Sequence, residues 1–196
     1  MKSFNIARIP EIVFGAGKLS GLGKMVARHG KKALLVTGSY HLKKQGTWDN
    51  IVKLLRDEGI YLISISFRNE PSPDFIDSVV MEHRGQDIGV VIAIGGGSVV
   101  DAGKAISAML LQEKRVKTYL EGVGTGEKHD GSKVPFIAIP TTSGTGSEAT
   151  KNAVLSSVSE DGFKKSLRHD NFVPEVALID PELMLSCPRE VTASTG

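Results

Sequence analysis

The sequence predicts an α/β protein in which helices cover both faces of a parallel sheet. Two observations support this prediction. Short apolar runs alternate along the chain with segments whose apolar residues recur at helical spacing, and strands that alternate with helices join through right-handed crossovers into a parallel sheet. The runs are also apolar almost throughout, which is typical of strands buried on both faces.

The first strand and helix are predicted between residues 33 and 59. Ala33–Thr37 is a run of β-forming residues that ends at Gly38, and Gly59 ends the helix that follows. The apolar residues at helical spacing in that helix are Trp48, Ile51, Val52 and Leu55. Tyr61–Ser66 is then predicted as the second strand.

Two further helices flank a third strand. The segment after the second strand has one apolar helical face, formed by Phe75, Ile76, Val79 and Val80. Ile88–Ile94 is predicted as the third strand, and it runs directly into three glycines. The amphipathic helix after these glycines has its apolar residues at Val99, Ala102, Ile106, Met109 and Leu110.

The second half of the chain is less regular. Residues 113–133 are polar and glycine-rich, which predicts an exposed loop before a fourth strand at Pro135–Ile139. Residues 150–167 predict an irregular excursion or a hairpin, and Val176–Asp180 predicts another strand. Pro188 is placed as in the first turn of a helix, so we expect the chain to stop inside a longer protein.

Composition and charge exclude several classes of protein. The 196 residues are 40% apolar and 23% charged, and a formal charge of +2 is spread along the chain, so no basic surface for nucleic acid or an anionic membrane is predicted. No apolar run approaches the roughly 20 residues that cross a bilayer, and the N-terminus is too polar for a secretion signal. Cys187 is the only cysteine, which fits a reducing compartment. We expect a soluble, cytoplasmic protein.

The first segment that indicates chemistry is GGGSVVDAGK, Gly95–Lys104, whose residues 95–98 we call the glycine turn. Glycines let a ligand approach the backbone closely, and a helix that begins at Ser98 offers free N–H groups to a phosphate. In open α/β sheets, ligands bind outside the carboxyl ends of the strands, where this turn falls. A tight structural turn explains the same residues. Asp101, one helical turn further on, can either hold the loop or contact the ligand.

The second segment is PTTSGTGSEAT, Pro140–Thr150, which we call the threonine loop. Its small hydroxyl and backbone donors directly follow a predicted strand. They can bind a phosphate or a carboxamide, or they can simply cap the next helix. The central hypothesis is that the two segments form a cradle for the diphosphate of a dinucleotide, which requires both to lie at the same end of the sheet.

Several familiar sites are not predicted. Val100 replaces the last glycine of G-x-G-x-x-G, and Ala105 replaces the hydroxyl residue of a P-loop, which disfavours a nucleoside triphosphatase. A G-x-S-x-G elbow is absent, so a serine hydrolase lacks its nucleophile. No two histidines share the spacing of a helical metal site, and each is expected at the surface. The histidines are His29, His41, His83, His129 and His169.

The pair formed by the glycine turn and the threonine loop resembles the iron-containing alcohol dehydrogenase family. RIPEIVFGAG near the start, EPSP at Glu70–Pro73 and VALIDPEL at Val176–Leu183 agree in order, so the resemblance covers essentially the whole chain. The threonine loop is the more specific motif. Related glycerol dehydrogenases and dehydroquinate synthases share the triple glycine but typically lack TTSGTGSE.

The resemblance implies a Rossmann-like, NAD(P)-binding α/β domain over residues 1–196, preceded by a short N-terminal strand segment. It also implies a C-terminal helical domain with a metal site of one aspartate and three histidines for Fe²⁺ or Zn²⁺, and we expect all of these ligands outside this chain. The parent enzyme would transfer hydride between the nicotinamide and an alcohol or aldehyde, as a homodimer, whereas this chain alone would be inactive. Two alternatives stay open: a non-catalytic nucleotide-binding module or split subunit, and a relative acting on polyols or maleylacetate-like acids.

The family's cofactor contacts transfer to this sequence residue by residue. The glycine turn, Gly95, Gly96, Gly97 and Ser98, is expected to hold the pyrophosphate, with Asp101 beside it. The threonines expected to line the cofactor cleft are Thr141, Thr142 and Thr145. Lys164, ten residues before Pro174, matches a lysine that contacts the cofactor ribose, and Lys165 is its competitor for that role.

One departure from the family concerns the choice of cofactor. NAD-using members commonly carry an aspartate after the first strand, where it binds the ribose 2′-hydroxyl, but Gly38 and Ser39 follow the strand here. Without that carboxylate, a 2′-phosphate is not repelled. His41, Lys43 and Lys44 are close enough in sequence to neutralise it. We therefore predict a preference for NADP, with NAD as the alternative.

Overall fold

A computed structural model describes residues 8–38, 42, 46–158 and 162–195. Its centre is a six-stranded sheet in which every pair of neighbours is parallel, in the order β1-β8-β5-β4-β2-β3. The remaining two strands form an antiparallel hairpin. The strands are β1 (Glu11–Phe14), β2 (Lys32–Gly38), β3 (Tyr61–Phe67), β4 (Val90–Gly95), β5 (Phe136–Pro140), β6 (Asn152–Ser157), β7 (Phe163–Arg168) and β8 (Val176–Ile179).

Helices lie on both faces of the sheet. They are α1 (Leu22–Ala27), α2 (Thr47–Asp57), α3 (Pro73–His83), α4 (Gly97–Met109) and α5 (Arg189–Thr195). Short 3-10 helices occupy Lys18–Gly21, Val116–Tyr119, Ser147–Ala149, Asp170–Phe172 and Pro181–Met184. The α/β class with a parallel sheet, predicted from the alternation of apolar runs and helical segments, is therefore confirmed, and the N-terminal strand pairs with β8.

Two hydrophobic cores sandwich the sheet because successive strand residues point to opposite faces. Leu34 and Val36 of β2 join the core beneath α3 and α4. Ala33 and Leu35 join the other core, beneath α1 and α2. Burial on both faces explains why the central strands β4 and β5 contain no polar residues.

The strand order creates a crevice between β2 and β4. The chain leaves β2 towards α2 on one face, whereas it leaves β4 towards α4 on the other. Ligands of open α/β sheets bind at such a switch point, outside the carboxyl ends of the strands. Thr37 and Ile94 are paired across this crevice, so Gly38 and Gly95 stand at its mouth.

Two expectations about exposure were wrong. The segment 113–133 is not simply an exposed loop, because Val116 and Leu120 pack into the core against α3 and α4. His83 and His129 are buried rather than on the surface. His129 accepts a hydrogen bond from the Gly131 N–H at Nδ1, so its Nε2–H can donate to the Ala108 carbonyl. Both histidines serve packing, which their spacing could not indicate.

Within the described residues, none of the helices combines the length and apolar character that crossing a membrane requires.

Candidate functional site

The glycine turn joins β4 to α4 at the carboxyl edge of the sheet. Gly95 ends the strand, and Gly96 is the N-cap of the helix, so no side chain caps its first N–H groups. Those groups have no partner inside a helix, and the helix dipole makes this end positive. Gly96, Gly97 and Ser98 are each partly exposed. The turn therefore presents a helix N-terminus without a side-chain cap to the mouth of the β2–β4 crevice.

The threonine loop lies directly against the glycine turn. Thr141 N–H donates to the Gly95 carbonyl at 2.9 Å, immediately after the register pair of Gly95 and Pro140. A Cβ atom placed on Gly97 would lie only 2.7 Å from the side chain of Thr145, and one on Gly96 would lie 3.6 Å from that of Thr142. The two segments thus lie at the same end of the sheet, as a diphosphate cradle requires.

Two charged side chains of α4 hold the far half of the threonine loop. Lys104 is 1% exposed, and its ammonium donates to the carbonyls of Ser147 and Thr150. Asp101 lies one turn earlier and accepts a hydrogen bond from the N–H of Val154 in β6. Burial raises the pKa of the Asp101 carboxyl, while the charge of Lys104 acts against that rise. The loop is consequently attached to the same helix that carries the glycine turn.

Gly38 faces the glycine turn across the crevice. A Cβ atom built there would lie 3.6 Å from Val99 in the first turn of α4, an ordinary van der Waals contact. A side chain at this position would therefore fit beside the cradle. The other residues predicted to govern cofactor choice, Ser39, His41, Lys43 and Lys44, lie outside the described residues.

Comparison with known proteins identifies the family. The profile of iron-containing alcohol dehydrogenases matches residues 10–181. The chain belongs to this family. The resemblance stated from the two sequence motifs is thereby confirmed.

Several relatives agree with this assignment. The chain is 36% identical to long-chain-alcohol dehydrogenase 1 of Geobacillus thermodenitrificans over 197 residues, which cover 98% of this chain and 49% of that protein. The crystal structure of NADH-dependent butanol dehydrogenase A from Thermotoga maritima superposes with a TM-score of 0.90 at 28% identity, covering 100% of this chain and 48% of that one. Sulfoacetaldehyde reductase from Bifidobacterium kashiwanohense, solved in complex with NAD⁺, gives 0.87 at 29% identity, with 100% and 50% coverage. The chain spans about half the length of these relatives.

Lys164, the residue predicted to contact the cofactor ribose, lies in the β6–β7 hairpin. Its ammonium pairs with the Glu70 carboxylate at 2.8 Å, and the Ser156 hydroxyl donates to the same oxygen. The hydrogen bond from Lys164 is the main reason why the pKa of Glu70 lies below its ordinary value. Lys165 points elsewhere, since its ammonium would lie 3.4 Å from a Cβ atom on Gly122.

A pocket of about 370 Å³ opens beside this ion pair, beyond the end of β3. It is lined by Phe67, Arg68, Asn69, Glu70, Ser72, Phe75, Ser156 and Val158. The aromatic rings of Phe67 and Phe75 stack at its base with centroids 4.7 Å apart. Because Phe67 at the end of β3 pairs with Gly38 at the end of β2, the pocket lies at the same edge of the sheet as the mouth of the β2–β4 crevice.

The part of the chain that the structure describes contains no cluster of three or more histidine, cysteine, aspartate or glutamate side chains that could hold a metal ion. The described residues therefore fit the dinucleotide that the iron-containing alcohol dehydrogenases imply, but they do not form a site for the metal.

Three residues of the site were missed from the sequence. Lys104, Glu70 and Gly103 lie against residues that are 10 to 94 positions away in the chain. A signal for Lys104 did exist, because a lysine three residues after Asp101 on an otherwise apolar helix must be satisfied by some partner. A Cβ atom on Gly103 would lie 2.6 Å from Ala93 and 2.9 Å from Phe136, so this glycine permits the close packing of α4 on the sheet.

Proposed function

We propose that this chain is the cofactor-binding portion of a metal-dependent NAD(P) alcohol dehydrogenase or aldehyde reductase, and that it binds the dinucleotide without being catalytically complete by itself. The observation that carries the proposal is the contact between the glycine turn and the threonine loop, where Thr141 N–H donates to the Gly95 carbonyl. Membership of the iron-containing alcohol dehydrogenase family supports it.

In this proposal the glycine turn binds the cofactor diphosphate. Gly95, Gly96 and Gly97 leave room for the phosphates, while the N–H groups of Gly97 and Ser98 and the positive end of α4 stabilise their charge. Hydride transfer is the chemistry that a nicotinamide supplies when bound. The protein orients the bound nicotinamide through three threonines on one side of the diphosphate, which are Thr141, Thr142 and Thr145.

The adenosine half is assigned to the opposite side, towards β2 and β3. Gly38 stands at the end of β2 and the pocket beside Glu70 lies beyond β3, so an extended dinucleotide meets both. Lys164 is assigned to the ribose, with Glu70 holding its ammonium. Asp101 is assigned the holding role, because its carboxylate accepts a hydrogen bond from the Val154 backbone.

We further propose that NADP is preferred over NAD. Gly38 brings no carboxylate to the position where one would bind a 2′-hydroxyl and repel a 2′-phosphate. Gly38→Asp tests this, because the structure leaves room for the new Cβ atom. We expect the ratio of NADPH affinity to NADH affinity to be at least tenfold lower in this variant than in the parent chain. Comparable dissociation constants for the two cofactors in the parent chain, or an unchanged ratio in the variant, would contradict the preference.

The metal and the substrate are assigned to the rest of the enzyme. The described residues offer no ligand cluster, and Fe²⁺ or Zn²⁺ bound by the rest of the enzyme would supply Lewis-acid chemistry. A homodimer is proposed for the whole enzyme. The edge strand β1 supports it, because Ile12 is 55% exposed and Phe14 is 67% exposed on a strand that has only one neighbouring strand among the described residues.

The cofactor proposal is tested by titrating the chain with NADPH and NADH, following cofactor fluorescence with and without added iron or zinc. Gly97→Ala should raise the dissociation constant at least tenfold, because its methyl group would push Thr145 away from the turn. Gly21→Ala is the matched control, since its methyl group meets only the flexible end of Met25. The proposal fails if the parent chain binds neither cofactor, or if the two alanine variants bind equally.

A further inference from the structure

Lys104 is the largest of the fully buried side chains in the described structure. A buried ammonium is costly unless its donors are satisfied. The Lys104 Nζ lies 2.7 Å from the Ser147 carbonyl, 2.7 Å from the Thr150 carbonyl and 2.9 Å from the Asn152 carbonyl. The Thr150 hydroxyl is a fourth neighbour at 3.2 Å. Among the described residues, no carboxylate forms an ion pair with this lysine, so backbone oxygens satisfy it.

All of these acceptors belong to one short stretch, residues 147–152, which runs from the far end of the threonine loop into β6. The near end is fixed separately, by the bond from Thr141 N–H to the Gly95 carbonyl. Residues 142–146 thus lie between two points at which the loop is attached, and we call these points the two anchors. The segment includes both threonines that lie against the glycine turn. Asp101 extends the second anchor into β6 by accepting from Val154 N–H.

We propose that Lys104 is a positioning residue, whose positive charge holds the threonine loop on the helix of the glycine turn and thereby sets the affinity for the cofactor. This inference rests on the proposed cofactor site. Without the ammonium, three carbonyls lose their donor and the loop loses one of its two anchors. Thr142 and Thr145 are then no longer fixed opposite Gly96 and Gly97.

The charge of Lys104 can change within an accessible pH range. Burial lowers its pKa to about 8, the carboxylates of Asp101 on α4 and Glu148 in the loop oppose this, and the positive charge of Lys133 adds to it. A neutral amine has two N–H donors for four acceptors. Deprotonation above pH 8 removes the positive charge beneath the proposed cofactor cradle, so the affinity for the anionic cofactor falls as the pH rises.

The test compares Lys104→Met with Lys133→Met. Lys133 is a second lysine with a nearly buried side chain, but it pairs with Glu175 at the opposite end of β5. NADPH titrations of both variants and of the parent chain run from pH 7 to 9.5, where the 2′-phosphate is already ionised because its second pKa is about 6. Hydrogen exchange of the peptide spanning residues 141–152 reports the loop directly.

We expect Lys104→Met to weaken NADPH binding about tenfold at pH 7, the factor that corresponds to one lost charged hydrogen bond, while Lys133→Met changes it less than about twofold. The parent chain should lose affinity above pH 8, and the Lys104→Met profile should be flat. Faster exchange in residues 141–152 should be confined to Lys104→Met. Unchanged exchange there overturns the anchoring role, and equal NADPH affinity in the two variants overturns the positioning role. If the parent chain binds no cofactor, the proposed function fails, whereas the exchange measurement still decides the anchoring.

Discussion

The glycine turn and the threonine loop are the two halves of the proposed cofactor cradle, but they are fixed in different ways. The glycine turn is part of a strand–helix junction, in which Gly95 ends β4 and α4 packs back on the sheet two residues later. The threonine loop has no regular structure beyond the short helix at Ser147–Ala149. Side chains from α4 hold it in place, across 43 to 53 positions of sequence.

This difference indicates where each half is vulnerable. The glycine turn depends on the absence of side chains, since a Cβ atom on Gly95 would lie 2.6 Å from Val99 and one on Gly97 would lie 2.7 Å from Thr145. The threonine loop depends on the presence of two buried charges. Added volume should therefore disrupt the first half, whereas removal of a charged side chain should disrupt the second.

The largest effect is expected from Gly103→Val, which adds volume beneath the glycine turn. The new side chain would be forced into Ala93 and Phe136, so α4 must move away from the sheet. Overpacking of this kind costs about 3 kcal/mol of unfolding free energy. Urea denaturation measures it. Gly21→Val is the control, because only the flexible end of Met25 is in the way. Equal free energies of unfolding for the two variants would show that α4 is not packed tightly on the sheet at Gly103.

The same contrast explains how much the sequence could predict. Apolar runs and helical spacing predict β2, β4 and α4 to within a residue or two, because these elements are determined by local pattern and burial. The adjacency of the two segments also follows from the sequence, since both come after parallel strands.

The contacts of the individual side chains could not be predicted in this way. The partners of Lys104, Asp101 and Lys164 come from distant segments, and Val116 and Leu120 of the 113–133 segment are buried through contacts that the polar composition of the segment conceals. The loop could equally have capped a following helix, which was one of the interpretations that the sequence allowed. Long-range packing decided between these interpretations.

A second, smaller effect should appear in the pH dependence of stability. Lys104 has a pKa of about 8 in the folded protein against 10.5 in the unfolded chain, so between these values the unfolded chain binds the additional proton. The free energy of unfolding contributed by this group therefore rises with pH, by about 2 kcal/mol between pH 7.5 and 9.5.

Urea denaturation of the parent chain and of Lys104→Met over this range isolates the contribution, because other groups titrate alike in both. Stability and cofactor affinity should move in opposite directions as the pH rises. A difference between the two proteins that stays constant from pH 7.5 to 9.5 would show that the Lys104 ammonium does not titrate there.

The smallest effect on stability is expected at the Glu70–Lys164 ion pair. The side chains are 45% and 62% exposed, so Lys164→Met should lower the free energy of unfolding by less than about 1 kcal/mol. Lys53→Met is the matched control, because Lys53 forms a similarly exposed pair with Asp57 on α2, away from the cradle. If Lys164 contacts the cofactor ribose, only Lys164→Met will weaken NADPH binding in a fluorescence titration, by a factor of about three to ten for one hydrogen bond. Equal affinity in the two methionine variants would restrict cofactor binding to the glycine turn and the threonine loop, and the hairpin would then only pack against α3 and α4.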